Sequence, residues 1–397
     1  MTASTFYLAC KNNNIDELQT HLKTISVEDL NKIESNGSTA LHVACYYGHE
    51  EIVKLLLEAG ACRTILNIYN CTPYQEAKTD NIKELFNRIT NNDNDSRFVA
   101  NSGIMEWIRI DEQAAKRAND FRNGLAVHKK SSNFLTYISE FIFGNPITTK
   151  LLAYTSEKLN INDQNAINWF INQAMEKNDY VYFIKAYTAE TKFYRRINSD
   201  LACLSDNEYK ASMKKYLSSI SRTLFESNYD KGAFSDQRIR WTSDATLIFT
   251  GALLHDTELR NQCYFKGTTY RGMQITIDEL EQYKINTCIL TKSFLSSSKN
   301  IKTAICFAYG DKILRQKPDG ELIKYPILCK YIFNTPEYAF DISTKYSEYP
   351  QEDEVLILPF SSFRINKNEQ NSTNDMIELE LEECQFSYWQ YFSNWFN

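Results

Sequence analysis

The sequence predicts an α+β protein. An all-helical N-terminal repeat module precedes a helical subdomain and a mixed, mostly antiparallel β region. Three observations predict it. A helical pattern recurs at a fixed interval within residues 1–90, apolar residues return at helical spacing from Ile104 to about Ser227, and short runs of aromatic and β-branched residues follow Trp241. At 397 residues, with 43% hydrophobic and 24% charged residues, the chain has the composition of an ordinary globular protein and the length of two or more domains.

Composition also excludes several functions. A net charge of −6 offers no basic face, so no nucleic acid is expected as a partner. Met1–Tyr7 lacks the basic and apolar regions of a secretion signal, and no run is long enough to span a bilayer. A cytoplasmic location without a membrane partner is the expectation. The 10 cysteines show no Cys-x-x-Cys spacing, so reduced thiols and no metal are expected.

The repeat is read first. Thr39-Ala-Leu41-His42 recurs about 33 residues later as Thr72-Pro73-Tyr74-Gln75, and Thr5-Phe-Tyr-Leu-Ala9 is a degraded earlier copy. Between them Gly48–Gly60 predicts a second helix, with Gly60 ending it in the left-handed conformation. The period and its signature resemble ankyrin repeats, here spanning residues 1–90. Thr39 and His42 then serve the repeat's own turn and interhelix hydrogen bonds rather than catalysis. Asn91–Ser96 is polar and turn-rich, so residues 91–103 are expected to be a linker.

The rest of the chain reads as one domain, 104–397, with a helical part to about 227 and a β part from about 240. Ala166–Met175 and Tyr187–Ile197 carry helical spacing. Tyr264–Met273 is a strand candidate, and Thr276 with Glu279 has capping-box spacing before a short helix. Thr287–Lys299 reads as a strand ending in a serine run, Pro326–Phe333 as a further strand, and Ile377–Leu381 as an edge strand with one wet face. The aromatic segment Phe386–Phe396 is expected to pack on the sheet.

Three pieces of this region carry candidate chemistry. Arg271 lies in an apolar strand, where a permanent charge is costly unless it meets an anion or an internal carboxylate. Beside it, Gly272 would let a backbone approach a flat ligand. Ser296 sits where a strand is expected to end, as a hydroxyl for a ligand or as a plain turn residue. Glu352, Asp353 and Glu354 precede the apolar Val355-Leu356-Ile357; in an extended chain Glu352 and Glu354 share a face, an arrangement suited to a cation.

The order Tyr270-Arg271-Gly272, Ser293-Phe294-Leu295-Ser296-Ser297-Ser298 and Glu352-Asp353-Glu354 resembles the arginine, serine and Glu-x-Glu motifs of cholera-toxin-like mono-ADP-ribosyltransferases. Its arginine-specific branch is the nearest match, and Tyr187-Thr188 and Phe193-Tyr194-Arg195 look like that branch's helical subdomain. The resemblance implies transfer of ADP-ribose from NAD to an arginine side chain of an acceptor protein, with release of nicotinamide and no metal. It implies that Tyr270, Arg271, Gly272, Ser296 and Glu354 bind NAD. Arg271, Ser296, Glu352 and Glu354 would be catalytic, with Glu354 stabilising the oxocarbenium-like state and Glu352 taking the acceptor's proton. Tyr349 would join Glu352 in binding the acceptor, as an aromatic contact surface on the loop Asp341–Gln351. NAD hydrolysis and a catalytically silent ankyrin-based scaffold are the alternatives. The histidine-dependent branch of the family is disfavoured because His21, His42, His49, His128 and His255 all precede Tyr264. The ankyrin surface itself is a candidate site for a protein partner.

Overall fold

The computed structural model describes residues 3–88, 107–110, 115, 147–202, 249–253, 256–309, 324–343, 346–371 and 376–384. The expected linker 91–103, much of the expected helical region, His128, His255 and the aromatic segment Phe386–Phe396 lie outside them. Two compact units are formed. One comprises Met1–Thr90, Thr155–Phe193 and Ile342–Glu352; the other comprises Asn91–Tyr154, Tyr194–Asp341 and Asp353–Asn397.

The first unit opens with α1 (Thr5–Lys11), α2 (Ile15–Leu22), α3 (Val27–Leu30), α4 (Ala40–Tyr47), α5 (Glu50–Glu58) and α6 (Asp80–Leu85). Short polar side chains start these helices: Ser4, Asn14, Ser26, Thr39 and Thr79 each accept a hydrogen bond from a backbone N–H of the first turn. Thr39 and His42 form a reciprocal capping box, and His42 Nε2 lies 3.0 Å from the carbonyl oxygen of Cys71. The histidine therefore ties one repeat to the next, and burial lowers its pKa. Gly48 ends α4 at φ 86, and Gly60 follows α5 at φ 87, where a residue with a β-carbon would be strained. Leu18, Leu41, Val43, Ile52, Val53, Leu56, Ile82 and Phe86 make one continuous apolar core across these helices. Each fully buried aliphatic side chain contributes about 1.5–3 kcal/mol.

The chain continues through α7 (Ile147–Lys158), α8 (Ile161–Lys177), α9 (Val181–Thr188) and α10 (Phe193–Ala202). Asn160 caps the start of α8, and Asn178 ends it in the left-handed conformation. Within the first unit, α9 packs on α8 and buries Phe183, Ile184 and Tyr187.

The second unit is built on a nine-stranded sheet in the order β1-β3-β8-β9-β5-β2-β4-β7-β6. Its elements are β1 (Trp107–Ile110), α11 (Thr257–Cys263), β2 (Gly267–Ile275), α12 (Ile277–Leu280), β3 (Cys288–Thr291), β4 (Leu295–Ser298), α13 (Ile301–Tyr309), β5 (Tyr325–Phe333), β6 (Ala339–Asp341), β7 (Glu354–Ile357), β8 (Ser362–Gln370) and β9 (Ile377–Glu383). All described pairings are antiparallel except β5 with β9. Ile289, Ile327, Phe333, Val355, Ile357, Phe363, Ile365, Leu379 and Leu381 are among the buried residues of its core. The fold is thus α+β, with ankyrin repeats, helices and a mixed, mostly antiparallel sheet.

Three elements differ from the sequence expectation. Trp107–Ile110, expected within a helical region, is a strand paired with β3, because its two-residue alternation is too short to be told from a helical period. Ile377–Glu383 is an interior strand, flanked by β5 and β8, since the strands that cover it lie far away in sequence. The serine run is itself a strand rather than the turn after one: Leu295–Ser298 pairs residue by residue with Glu354–Ile357.

Candidate functional site

Strand pairing in the second unit brings Arg271, Ser296 and Glu354 together. They lie on β2, β4 and β7, three adjacent strands of the sheet. Ser298 is opposite both Tyr270 on β2 and Glu354 on β7, which fixes the register of all three segments. Arg271 Nη1 donates to the carbonyl oxygen of Ser296 at 2.7 Å. Ser297 points its hydroxyl to the carbonyl oxygen of Val355 at 2.7 Å, locking β4 to β7. Arg271, Ser296 and Glu354 are 1%, 2% and 0% exposed. A buried cation and a buried carboxylate on one short stretch of sheet are costly unless they serve each other or a ligand, so this is the place in the unit to look for chemistry.

Gly272 is closely packed. A β-carbon there would sit 1.8 Å from the carbonyl oxygen of Ala304 and 2.5 Å from the amide nitrogen of Ala308. The close approach is made by helix α13, so packing of helix on strand accounts for the glycine.

The acidic segment is also not the extended ribbon that alternation assumes. Pro350–Glu352 forms a 3-10 turn, Asp353 adopts φ 49, and the strand begins only at Glu354. Side-chain alternation therefore does not place Glu352 and Glu354 on one face. Asp353 is the residue that turns the chain, and its carbonyl accepts from Lys299 N at 3.0 Å. Asp and Asn tolerate this backbone region better than most residues, which is a reason for aspartate at this position.

Glu352 belongs to the first unit, where it holds an arginine. Arg88 Nε donates to Glu352 Oε1 at 3.0 Å, and its Nη2 lies 3.5 Å from Oε2. Nη1 reaches Glu190 at 3.2 Å, Nη2 reaches the Thr188 carbonyl oxygen at 3.3 Å, and the guanidinium carbon lies 3.8 Å from the centre of the Tyr349 ring. The Tyr349 hydroxyl donates to Glu190. Burial works against the Arg88 charge, but Glu352, Tyr349 and Glu190 outweigh it and hold its pKa above the usual arginine value. Tyr349 is 0% exposed, so it offers no surface to solvent; burial pushes its hydroxyl up to about 12 against the opposing effect of Arg63 and Arg88.

The neighbouring Glu348 is anchored in the same unit. It accepts from Arg63 N at 2.7 Å, from the Thr64 hydroxyl and from the Cys62 thiol at 3.2 Å, while its own N–H donates to Thr188 Oγ1 at 2.9 Å. Gln351 Nε2 donates to the carbonyl oxygen of Phe86 at 2.6 Å. The sequence reading missed Arg63, Arg88, Glu190 and Glu348. Their hydrogen-bond partners named above lie 100 to 286 residues away, beyond any local spacing rule; the one available signal was an arginine two residues after the apolar Phe86 of the third repeat.

Among the described residues, no helix is long and apolar enough to cross a membrane, and no group of three or more His, Cys, Asp or Glu side chains is placed to hold a metal ion.

Residues 6–95 match a model of ankyrin repeats in 3 copies. Among curated proteins, the photoreceptor ankyrin repeat protein of Mus musculus is 47% identical over 53 residues, covering 13% of this chain and 14% of that protein. Oxysterol-binding protein-related protein 1 of Homo sapiens is 40% identical over 65 residues, 14% of this chain and 7% of that protein. The chain thus spans a small fraction of these relatives' length. Solved structures similar to it include ADP-ribosyltransferases. Vis toxin from Vibrio splendidus is 16% identical with a TM-score of 0.31, covering 70% of this chain and 88% of that one. HopU1 of Pseudomonas syringae pv. Tomato DC3000 is 15% identical with a TM-score of 0.34, covering 70% and 99%.

Proposed function

We propose that this chain transfers ADP-ribose from NAD to the guanidinium of an arginine side chain on an acceptor protein, releasing nicotinamide, as a member of the cholera-toxin-like, arginine-specific class. The observation that carries the reading is the arrangement of Arg271, Ser296 and Glu354 on three adjacent strands, with Arg271 hydrogen-bonded to the backbone of Ser296. This donor set fits NAD: a guanidinium suits pyrophosphate oxygens, a serine hydroxyl suits a ribose, and a carboxylate suits a cationic sugar.

In this reading Arg271 holds the phosphate and ribose portion, with Tyr270 and the backbone of Gly272 contributing to the nicotinamide half. Ser296 orients Glu354. As the bond between the ribose anomeric carbon and nicotinamide breaks, the electron pair leaves with the pyridine nitrogen and Glu354 stabilises the oxocarbenium-like sugar. The acceptor nitrogen then bonds to that carbon, and its proton passes to Glu352. Tyr349 flanks the acceptor guanidinium. The transferase domain runs from 104 to 397 in this reading, behind a linker at 91–103, and the ankyrin repeats are free to recruit a protein partner.

NAD hydrolysis without transfer is a second reading, favoured by one observation: Glu352, the residue assigned to the acceptor, is already paired with Arg88. The test is to incubate the full chain with labelled NAD and agmatine, beside Glu354→Gln of equal melting temperature. Label on agmatine that vanishes in the variant supports transfer; nicotinamide release without labelled agmatine supports hydrolysis; no release in either overturns both.

A further inference from the structure

The side chains proposed to receive the acceptor guanidinium already surround one. Arg88 is contacted by two carboxylates, Glu352 and Glu190, by the carbonyl oxygen of Thr188, and by the face of Tyr349. Its side chain is only 6% exposed. Planar hydrogen bonding to carboxylates together with stacking on an aromatic ring is the way a protein distinguishes guanidinium from ammonium. A pair with the sole purpose of holding two segments together needs none of this, because buried ion pairs roughly break even against apolar packing of the same volume. The segment that carries Glu352 is in any case anchored independently, through Glu348 on residues 62–64 and Gln351 on Phe86.

We propose that Glu352, Glu190, the Thr188 carbonyl and Tyr349 form a guanidinium-binding site, and that Arg88 of the ankyrin module is its internal occupant, a pseudo-acceptor that an arginine of the acceptor protein must displace. The inference rests on the proposed assignment of Glu352 to the acceptor, and it adds Glu190 and Thr188 to the acceptor site. It also makes the ankyrin module a direct regulator of transfer: whatever draws Arg88 away opens the site. An external guanidinium binds only to the fraction of molecules in which Arg88 has left, so its apparent affinity is reduced by that fraction.

The test compares the unaltered full chain with Arg88→Met and Arg88→Lys, using NAD and agmatine as the probe acceptor. Arg88→Met should lower the KM for agmatine about fivefold or more, with Arg88→Lys in between, because lysine lacks the planar fork. An agmatine KM in Arg88→Met that is unchanged or raised, in protein of normal melting temperature, overturns the proposal. Should Arg88→Met fail to fold, hydrogen–deuterium exchange on the unaltered chain decides: saturating agmatine should raise exchange in the segment around Arg88 several-fold, and unchanged exchange overturns the displacement. This second measurement needs no turnover. Absence of nicotinamide release would sink the proposed activity while leaving the exchange result to judge Arg88.

Discussion

Glu348 accepts a hydrogen bond from the backbone N–H of Arg63 at 2.7 Å, 285 residues earlier in the chain. With the Thr64 hydroxyl and the Cys62 thiol on the same carboxylate, one side chain satisfies three donors of the ankyrin module. Replacing it leaves those donors buried without their acceptor. Glu348→Ala should cost about 1.5–3 kcal/mol, and limited proteolysis should cut residues 342–352 faster than in the unaltered chain. Equal cutting rates would show that the segment is held by other contacts.

Glu354→Gln preserves the shape of a fully buried side chain but removes its charge. Nicotinamide release should fall about a hundredfold or more, with the melting temperature little changed. A loss smaller than tenfold would remove Glu354 from the proposed chemistry.

Glu352→Gln is expected to separate two activities. Loss of a general base should lower transfer to agmatine by about 10²–10⁴, whereas hydrolysis of NAD by water should persist. Parallel loss of both, measured as labelled agmatine and as free nicotinamide, would contradict this division of labour.

Gly272→Ala should be destabilising by about 1–3 kcal/mol or more, because the added methyl meets the backbone of α13 rather than a side chain able to swing aside. Thermal melting reads the effect directly. A variant as stable as the parent would mean that the helix shifts easily from the strand.

His42 makes the ankyrin module sensitive to acid. Burial lowers its folded-state pKa below the ordinary value of 6.5, so the unfolded chain binds the extra proton more readily. Stability is therefore fully present above about pH 6.5 and declines as the pH falls through the unfolded and then the folded value. Melting of the full chain at pH 7.5 and 5.5, beside His42→Asn, should show a smaller acid loss in the variant.

Much of the architecture was legible in the sequence because it rests on local chemistry. The Thr276 capping box, Gly60 beyond a helix end, and the apolar runs of β2, β5 and β7 all announce themselves within a few residues. Position within the sheet was not legible. β9 reads as an edge by its alternating burial, yet β5 and β8 flank it, and pattern alone cannot count neighbours. The acidic segment failed for a local reason: alternation presumes extended backbone, and the left-handed Asp353 breaks it between the two glutamates. Arg88 was invisible because its meaning comes from Glu352, Glu190 and Tyr349, none of them its neighbours in sequence.

The first compact unit draws on three separate stretches of chain, and this sets an order of assembly during synthesis. Arg88 leaves the ribosome 264 residues ahead of Glu352, an interval of about 13–50 seconds at the ordinary rate of about 5–20 residues per second. For that time the guanidinium has no Glu352 to pair with, and neither do the donors of residues 62–64 have Glu348. The repeats must therefore stand on their own apolar core long before the segment that completes their polar cradle exists.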